Sequence, residues 1–141
     1  MKRGTLILMR GLPYSGKTSW AREYCSRKRD SVRVSWTEIR SMMSERVYDR
    51  EITHCAVYTA LCQVQRLLLS GKTVILDEMN LYGPSFSLFV GIAQKCKSKV
   101  TIQVIRSSVE ECKQRCLRDG GSSADAMRIE MLAEKYSLLL K

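Results

Sequence analysis

Residues Gly11-Leu12-Pro13-Tyr14-Ser15-Gly16-Lys17-Thr18 follow the pattern G-x-x-x-x-G-K-[ST], set between an apolar run at Thr5–Met9 and a segment of helical period from Thr18 to Arg29. A chain with that octet in that context has few folds open to it. The strand must deliver the loop to the N-terminus of the helix, where backbone N–H groups turn inward on phosphate oxygens and the helix dipole favours their charge. In this pattern Lys17 reaches the β- and γ-phosphates and the Thr18 hydroxyl ligates Mg²⁺. Gly11, Pro13, Tyr14, Ser15, Gly16 and Ser19 complete the expected nucleotide cradle, with ATP and Mg²⁺ as the cofactors it would take.

The rest of the chain alternates in the way such a loop requires. Apolar, β-rich runs at Thr5–Met9, Val32–Ser35, Thr73–Leu76 and Val100–Ile105 are separated by segments of helical period, which predicts an α/β fold with a parallel sheet covered on both faces. The helical stripes are Trp20/Ala21/Tyr24/Cys25, Ile39/Met42/Met43/Val47, Val57/Leu61/Val64/Leu68, Phe86/Phe89/Val90/Ala93 and Met127/Met131/Leu132/Tyr136, all expected in the core. Gly71 reads as a helix stop, and Ser107 and Ser108, each followed three residues on by glutamate, read as a capped helix start. Gly120-Gly121-Ser122-Ser123 reads as a flexible joint in an Arg-bearing region. A length of 141 residues predicts a single domain over 1–141.

Metal chemistry at a phosphate loop needs a second acid. The run Thr73-Val74-Ile75-Leu76 ends in Asp77-Glu78, at the carboxyl end of a strand, where a carboxylate faces the nucleotide crevice. Asp77 is the expected metal-side residue, partnering Thr18. The charge points to the other substrate: 24 Lys and Arg against 14 Asp and Glu leave a net +10, which favours a polyanion such as nucleic acid. The six cysteines form no C-x-x-C pair, and Cys55/Cys62 and Cys112/Cys116 share helix faces, so buried reduced thiols and a cytoplasmic setting are expected. The apolar run after Lys2 and Arg3 is too short for a signal or membrane segment. His54, the lone histidine, lacks any partner at metal or dyad spacing and reads as structural.

The segment from Leu6 to Glu23, with Gly-x-Pro-x-Ser-Gly-Lys followed by Trp20-Ala21-Arg22-Glu23, resembles the polynucleotide kinase branch of P-loop kinases, typified by the phage 5′-kinase domain. Val74-Ile75-Leu76-Asp77-Glu78-Met79-Asn80-Leu81 is similar to that family's strand ending in Asp and an Asn-Leu pair. The resemblance implies a P-loop NTPase of adenylate-kinase-like type, with a four-stranded parallel sheet in the order 2-3-1-4 and a helical lid carrying arginines. It implies that Arg40 contacts the acceptor's phosphate, that Asn80 lies on the substrate side, and that Arg115 or Arg118 neutralises the transferring group from the lid.

One letter departs from the family. Where it places the aspartate that accepts the proton of the attacking hydroxyl, three residues before Arg40, this chain has Thr37. Threonine cannot act as that base. Glu38 is adjacent but points about 100° away on a helix, and Glu78 aligns with a carboxylate near the acceptor in the phage enzyme, so both stand as candidates. The expected function is transfer of the γ-phosphate of ATP to a hydroxyl of DNA or RNA, first of all a 5′-OH end. The competing readings are a hydroxymethylated base in DNA, a small nucleoside or nucleotide, and a nucleotide-binding module without turnover.

Overall fold

In the computed structural model, which describes residues 2–46, 49–81 and 83–141, β1 (Thr5–Arg10), β2 (Ser31–Val34), β3 (Thr73–Leu76) and β4 (Lys99–Val104) pair in parallel in the order β2-β3-β1-β4. The central pair decides where the chemistry lies. With Leu8 in register with Leu76, the loop that follows β1 and the acid that follows β3 emerge side by side, at the carboxyl edge where α/β folds bind ligands.

Near-continuous apolar sequence in β1 and β3 requires cover on both faces. On one face Leu6, Leu8, Val74 and Leu76 are buried against α3 (Arg50–Leu69) and α4 (Gly83–Lys95), which contribute Ala60, Val64, Leu68, Phe89 and Ala93. On the other, Ile7, Met9 and Ile75 meet Ala21 of α1 (Lys17–Arg27), flanked by Trp20 and Tyr24, whose rings stack 5.2 Å apart. Each large apolar side chain so buried contributes about 1.5–3 kcal/mol. This rigid block carries the site on its edge.

Two further elements close over that edge. The short helix α2 (Trp36–Met43) begins at Ser35, whose side chain accepts the Glu38 N–H. Helices α5 (Val109–Arg118) and α6 (Ser123–Lys135) pack as a hairpin through Cys112, Cys116, Ile129 and Leu132, and that cluster includes Leu12 of the phosphate loop. Burial thus ties the lid to the loop it covers.

Several expectations need correction. Met127 and Met131 are 62% and 67% exposed, because α6 turns Ala126, Ile129 and Leu132 inward instead. Met42 and Met43 are also exposed, since α2 stops at Met43, and Val47 lies outside the described residues. Cys55 and Cys62 sit on the solvent side of α3, whereas Cys112 and Cys116 are buried as expected. Gly120–Ser123 is no open tether: Gly120 takes φ 91°, the Gly121 N–H bonds the Cys116 carbonyl, and Ser122 forms a capping box with Asp125. No helix among the described residues is long and apolar enough to cross a membrane.

Candidate functional site

The loop from Gly11 to Thr18 has the form of an anion cradle. Gly16 adopts φ 102°, a left-handed conformation that suits glycine, and Tyr14 takes φ 64° beside it. A Cβ at Gly11 would lie 2.7 Å from Ser15 Oγ and 3.0 Å from the Ile105 carbonyl, so any side chain there would have to displace them. Ser15 Oγ is buried with no hydrogen-bond partner among the described residues. A buried hydroxyl left unsatisfied is costly, and a phosphate oxygen in the cradle is the acceptor it needs. These residues therefore fit the triphosphate that the motif implies.

Lys17 Nζ donates to the carbonyls of Gly11 (3.1 Å) and Leu12 (2.7 Å). Burial pushes its pKa down to about 8, against the opposing pull of Asp77 and Glu78. The Thr18 hydroxyl donates to Asp77 Oδ2 at 2.7 Å, which keeps its lone pairs available to a metal ion. Asp77 itself is buried. Tyr14, Ser15, Gly16, Lys17, Thr18 and Ser19 share a cavity of about 540 Å³ with Arg115, Arg118 and Asp119. Arg115 Nη1 also donates to the Tyr14 carbonyl at 3.1 Å, so the expected lid arginines stand at the phosphate loop.

A second cavity, also about 540 Å³, adjoins the first through Lys17 and Thr18 and is bounded by Ser35, Trp36, Thr37, Arg40, Glu78 and Arg128 among others. Here Thr37, which stands where the resemblance places an aspartate, meets a carboxylate. The Thr37 hydroxyl donates to Glu78 Oε1 at 2.6 Å, and the Thr37 N–H and Ser35 hydroxyl donate to Oε2, each at 3.0 Å. The carboxylate at the N-terminus of α2 thus comes from Glu78 rather than from position 37. Burial raises the Glu78 pKa above the ordinary glutamate value, partly offset by the bonds from Thr37 and Ser35. Oε1 carries one donor and retains a lone pair for another.

Two expected site residues are otherwise engaged. Glu38 is held by Arg33 Nη1 and Nη2 at 3.0 and 2.7 Å, and these bonds lower its pKa, which disfavours it as a proton acceptor. Asn80 borders the second cavity, but its amide donates to the Met9, Leu76 and Glu78 carbonyls, stapling the turn after β3 to β1. Arg33, which the sequence reading passed over, also donates from Nε to Asp77 Oδ2 at 2.8 Å. His54 is exposed on α3, away from both cavities.

The chain is similar in fold to known P-loop proteins. It superposes on a chain of the Pnkp1/Rnl/Hen1 RNA repair complex with a TM-score of 0.84 and 22% identity, covering 98% of this chain and 45% of that one. A second structure of the Pnkp1/Rnl/Hen1 complex gives 0.73 and 24%, over 82% of this chain and 40% of that one. The chain therefore spans less than half the length of those partners. The APS kinase CysC of Mycobacterium tuberculosis, solved with AMPPNP and APS, gives 0.65 and 14%, over 82% and 70%. No curated protein is similar in sequence. A family described as an AAA domain matches residues 6–133, from β1 into α6, and the chain belongs to that family, with the fold of P-loop kinases.

Proposed function

We propose that this protein transfers the γ-phosphate of ATP to a hydroxyl of a nucleic acid, first of all a 5′-OH end. The observation that carries the reading is the pairing of a phosphate cradle with an adjoining second cavity, where Glu78 is held by Thr37 and Ser35 beside Lys17 and Thr18. The fold shared with a chain of an RNA repair complex and the net +10 charge support nucleic acid as the acceptor.

Bound Mg²⁺–ATP supplies the phosphoryl group, whose transfer to the acceptor oxygen releases ADP. The loop amides and Lys17 would bind its phosphate oxygens, and Thr18 and Asp77 would hold the Mg²⁺. Arg115 and Arg118 offset charge from the lid. Glu78 takes the acceptor's proton at Oε1, and Arg40 meets the phosphate next to the reacting hydroxyl. The test is transfer from γ-labelled ATP to 5′-OH oligonucleotides, hydroxymethylated duplex and free nucleosides. Label on 5′ ends supports the reading; label only on nucleosides or only on the modified base overturns this choice of acceptor.

Two expected results follow from charge. Binding of a single-stranded oligonucleotide should weaken about 50-fold between roughly 50 and 200 mM salt if about four phosphates are neutralised, as read by fluorescence anisotropy. Salt-independent binding would count against a nucleic-acid path.

Nucleotide affinity should also fall with pH. Phosphate oxygens favour charged Lys17, whose pKa in the free protein is about 8, so binding above that pH takes up a proton and weakens by up to about tenfold per unit. For folding the sign is opposite. The folded pKa lies below the unfolded one, so the Lys17 contribution to stability grows between about 8 and 10.5. Calorimetry in buffers of different ionisation enthalpy reads the proton uptake; its absence near pH 9 would refute the assignment.

A further inference from the structure

Arg33 bonds one carboxylate on each side of the site, Asp77 after β3 and Glu38 in α2. Its side chain is only 16% exposed, on β2 next to the strand that delivers Asp77. Nε bonds Asp77 Oδ2 at 2.8 Å, while Nη1 and Nη2 grip both oxygens of Glu38 in α2. The planar fork of arginine suits this double engagement, and the point charge of lysine does not. The Asp77 bond shares its oxygen with the Thr18 hydroxyl, so the metal side is tied directly to Arg33. The Glu38 bonds staple the strand-to-helix turn that carries Ser35, Thr37 and Arg40. Arg22 adds a weaker contact to Glu38 at 3.8 Å between exposed groups.

We propose that Arg33 is a positioning residue that couples nucleotide loading at Asp77 to the order of the acceptor helix α2. The proposal rests on the kinase reading given above. In the structure Arg33 divides its bonds between two carboxylates. When a divalent cation neutralises the Asp77 side, the guanidinium loses attraction there and settles more firmly on Glu38, which tightens the first turns of α2. Linkage makes the effect reciprocal: whatever orders α2 also favours Mg²⁺–nucleotide. The acceptor pocket is thereby completed only after the donor is loaded.

Amide hydrogen exchange of the whole protein, with and without Mg²⁺–AMPPNP, tests this without an acceptor or turnover. In the native protein, nucleotide should slow exchange both in the phosphate loop and in Trp36–Met43, the latter by about fivefold or more. In Arg33→Met the loop response should persist and the α2 response vanish. A purely structural role would speed α2 exchange equally with and without nucleotide, leaving their ratio unchanged. Arg33→Lys, which keeps the charge but not the fork, should also lose most of the α2 response, and it stands in should the methionine variant fail to fold. Loop protection with no α2 response in the native protein, or an undiminished response in either variant, overturns the coupling and leaves the kinase reading intact. No protection of the loop itself removes the kinase reading and the coupling with it.

Discussion

Replacing Lys17 by methionine is expected to slow phosphoryl transfer by about 10³-fold or more while the fold survives. The ammonium is half-buried beside the cradle, and that desolvation holds its pKa down to about 8. A cation preorganised in that way interacts strongly with charge on a transferring phosphoryl group, and about 10³-fold corresponds to about 4 kcal/mol of barrier. Methionine keeps the unbranched stem that fills the space beside Gly11 and Leu12. It gives up two bonds to loop carbonyls and also relieves the cost of burying a charge. Melting monitored by circular dichroism should therefore move little while labelled-phosphate transfer collapses. Near-normal turnover would remove the assignment of this loop as the donor site.

Much of this arrangement was legible in the chain because it is written in local pattern. The phosphate loop, the apolar strands and the acid closing Thr73–Leu76 each depend on neighbours a few residues away, and the order β2-β3-β1-β4 matches what the family resemblance implied. The contacts that join distant segments were less legible. Arg33 alternates with Val32 and Val34 in a short strand, which reads as a solvent-facing position, and only the adjacency of β2 and β3 brings it to Asp77. The partnership of Thr37 with Glu78 spans 41 residues and crosses between elements. Helix faces were ambiguous for a simpler reason. In α6 the sets Met127/Met131 and Ala126/Ile129/Leu132 both have helical spacing, and packing against α5 selected the second. The exposed Cys55 and Cys62 reflect the same limit, since spacing says which residues share a face but not which way it points.

Glu78→Gln is expected to lower the rate at saturating substrates by about 10²–10⁴-fold with little change in nucleotide affinity. The substitution is close to isosteric. The amide oxygen accepts the Thr37 N–H and Ser35 hydroxyl that Oε2 now receives, and the Thr37 hydroxyl rotates to accept from the new NH₂ group. What is lost is the capacity to take a proton. Asp77→Asn should differ: with the metal-side role proposed for Asp77, its loss should weaken Mg²⁺–nucleotide binding and be partly rescued by raised Mg²⁺ or by Mn²⁺. A Glu78→Gln defect rescued in the same way would assign Glu78 to the metal side instead. Thr37→Asp completes the comparison, since it replaces the hydroxyl 2.6 Å from Glu78 Oε1 with a second carboxylate. Two carboxylates so close disfavour double ionisation, so the pair holds a shared proton more readily than Glu78 holds one alone. If Glu78 is the base, that shared proton occupies the lone pair the acceptor needs, and transfer to the true substrate should fall. A gain on 5′-OH ends in Thr37→Asp would instead return proton acceptance to position 37 and reduce Glu78 to the anchor that orders the first turn of α2.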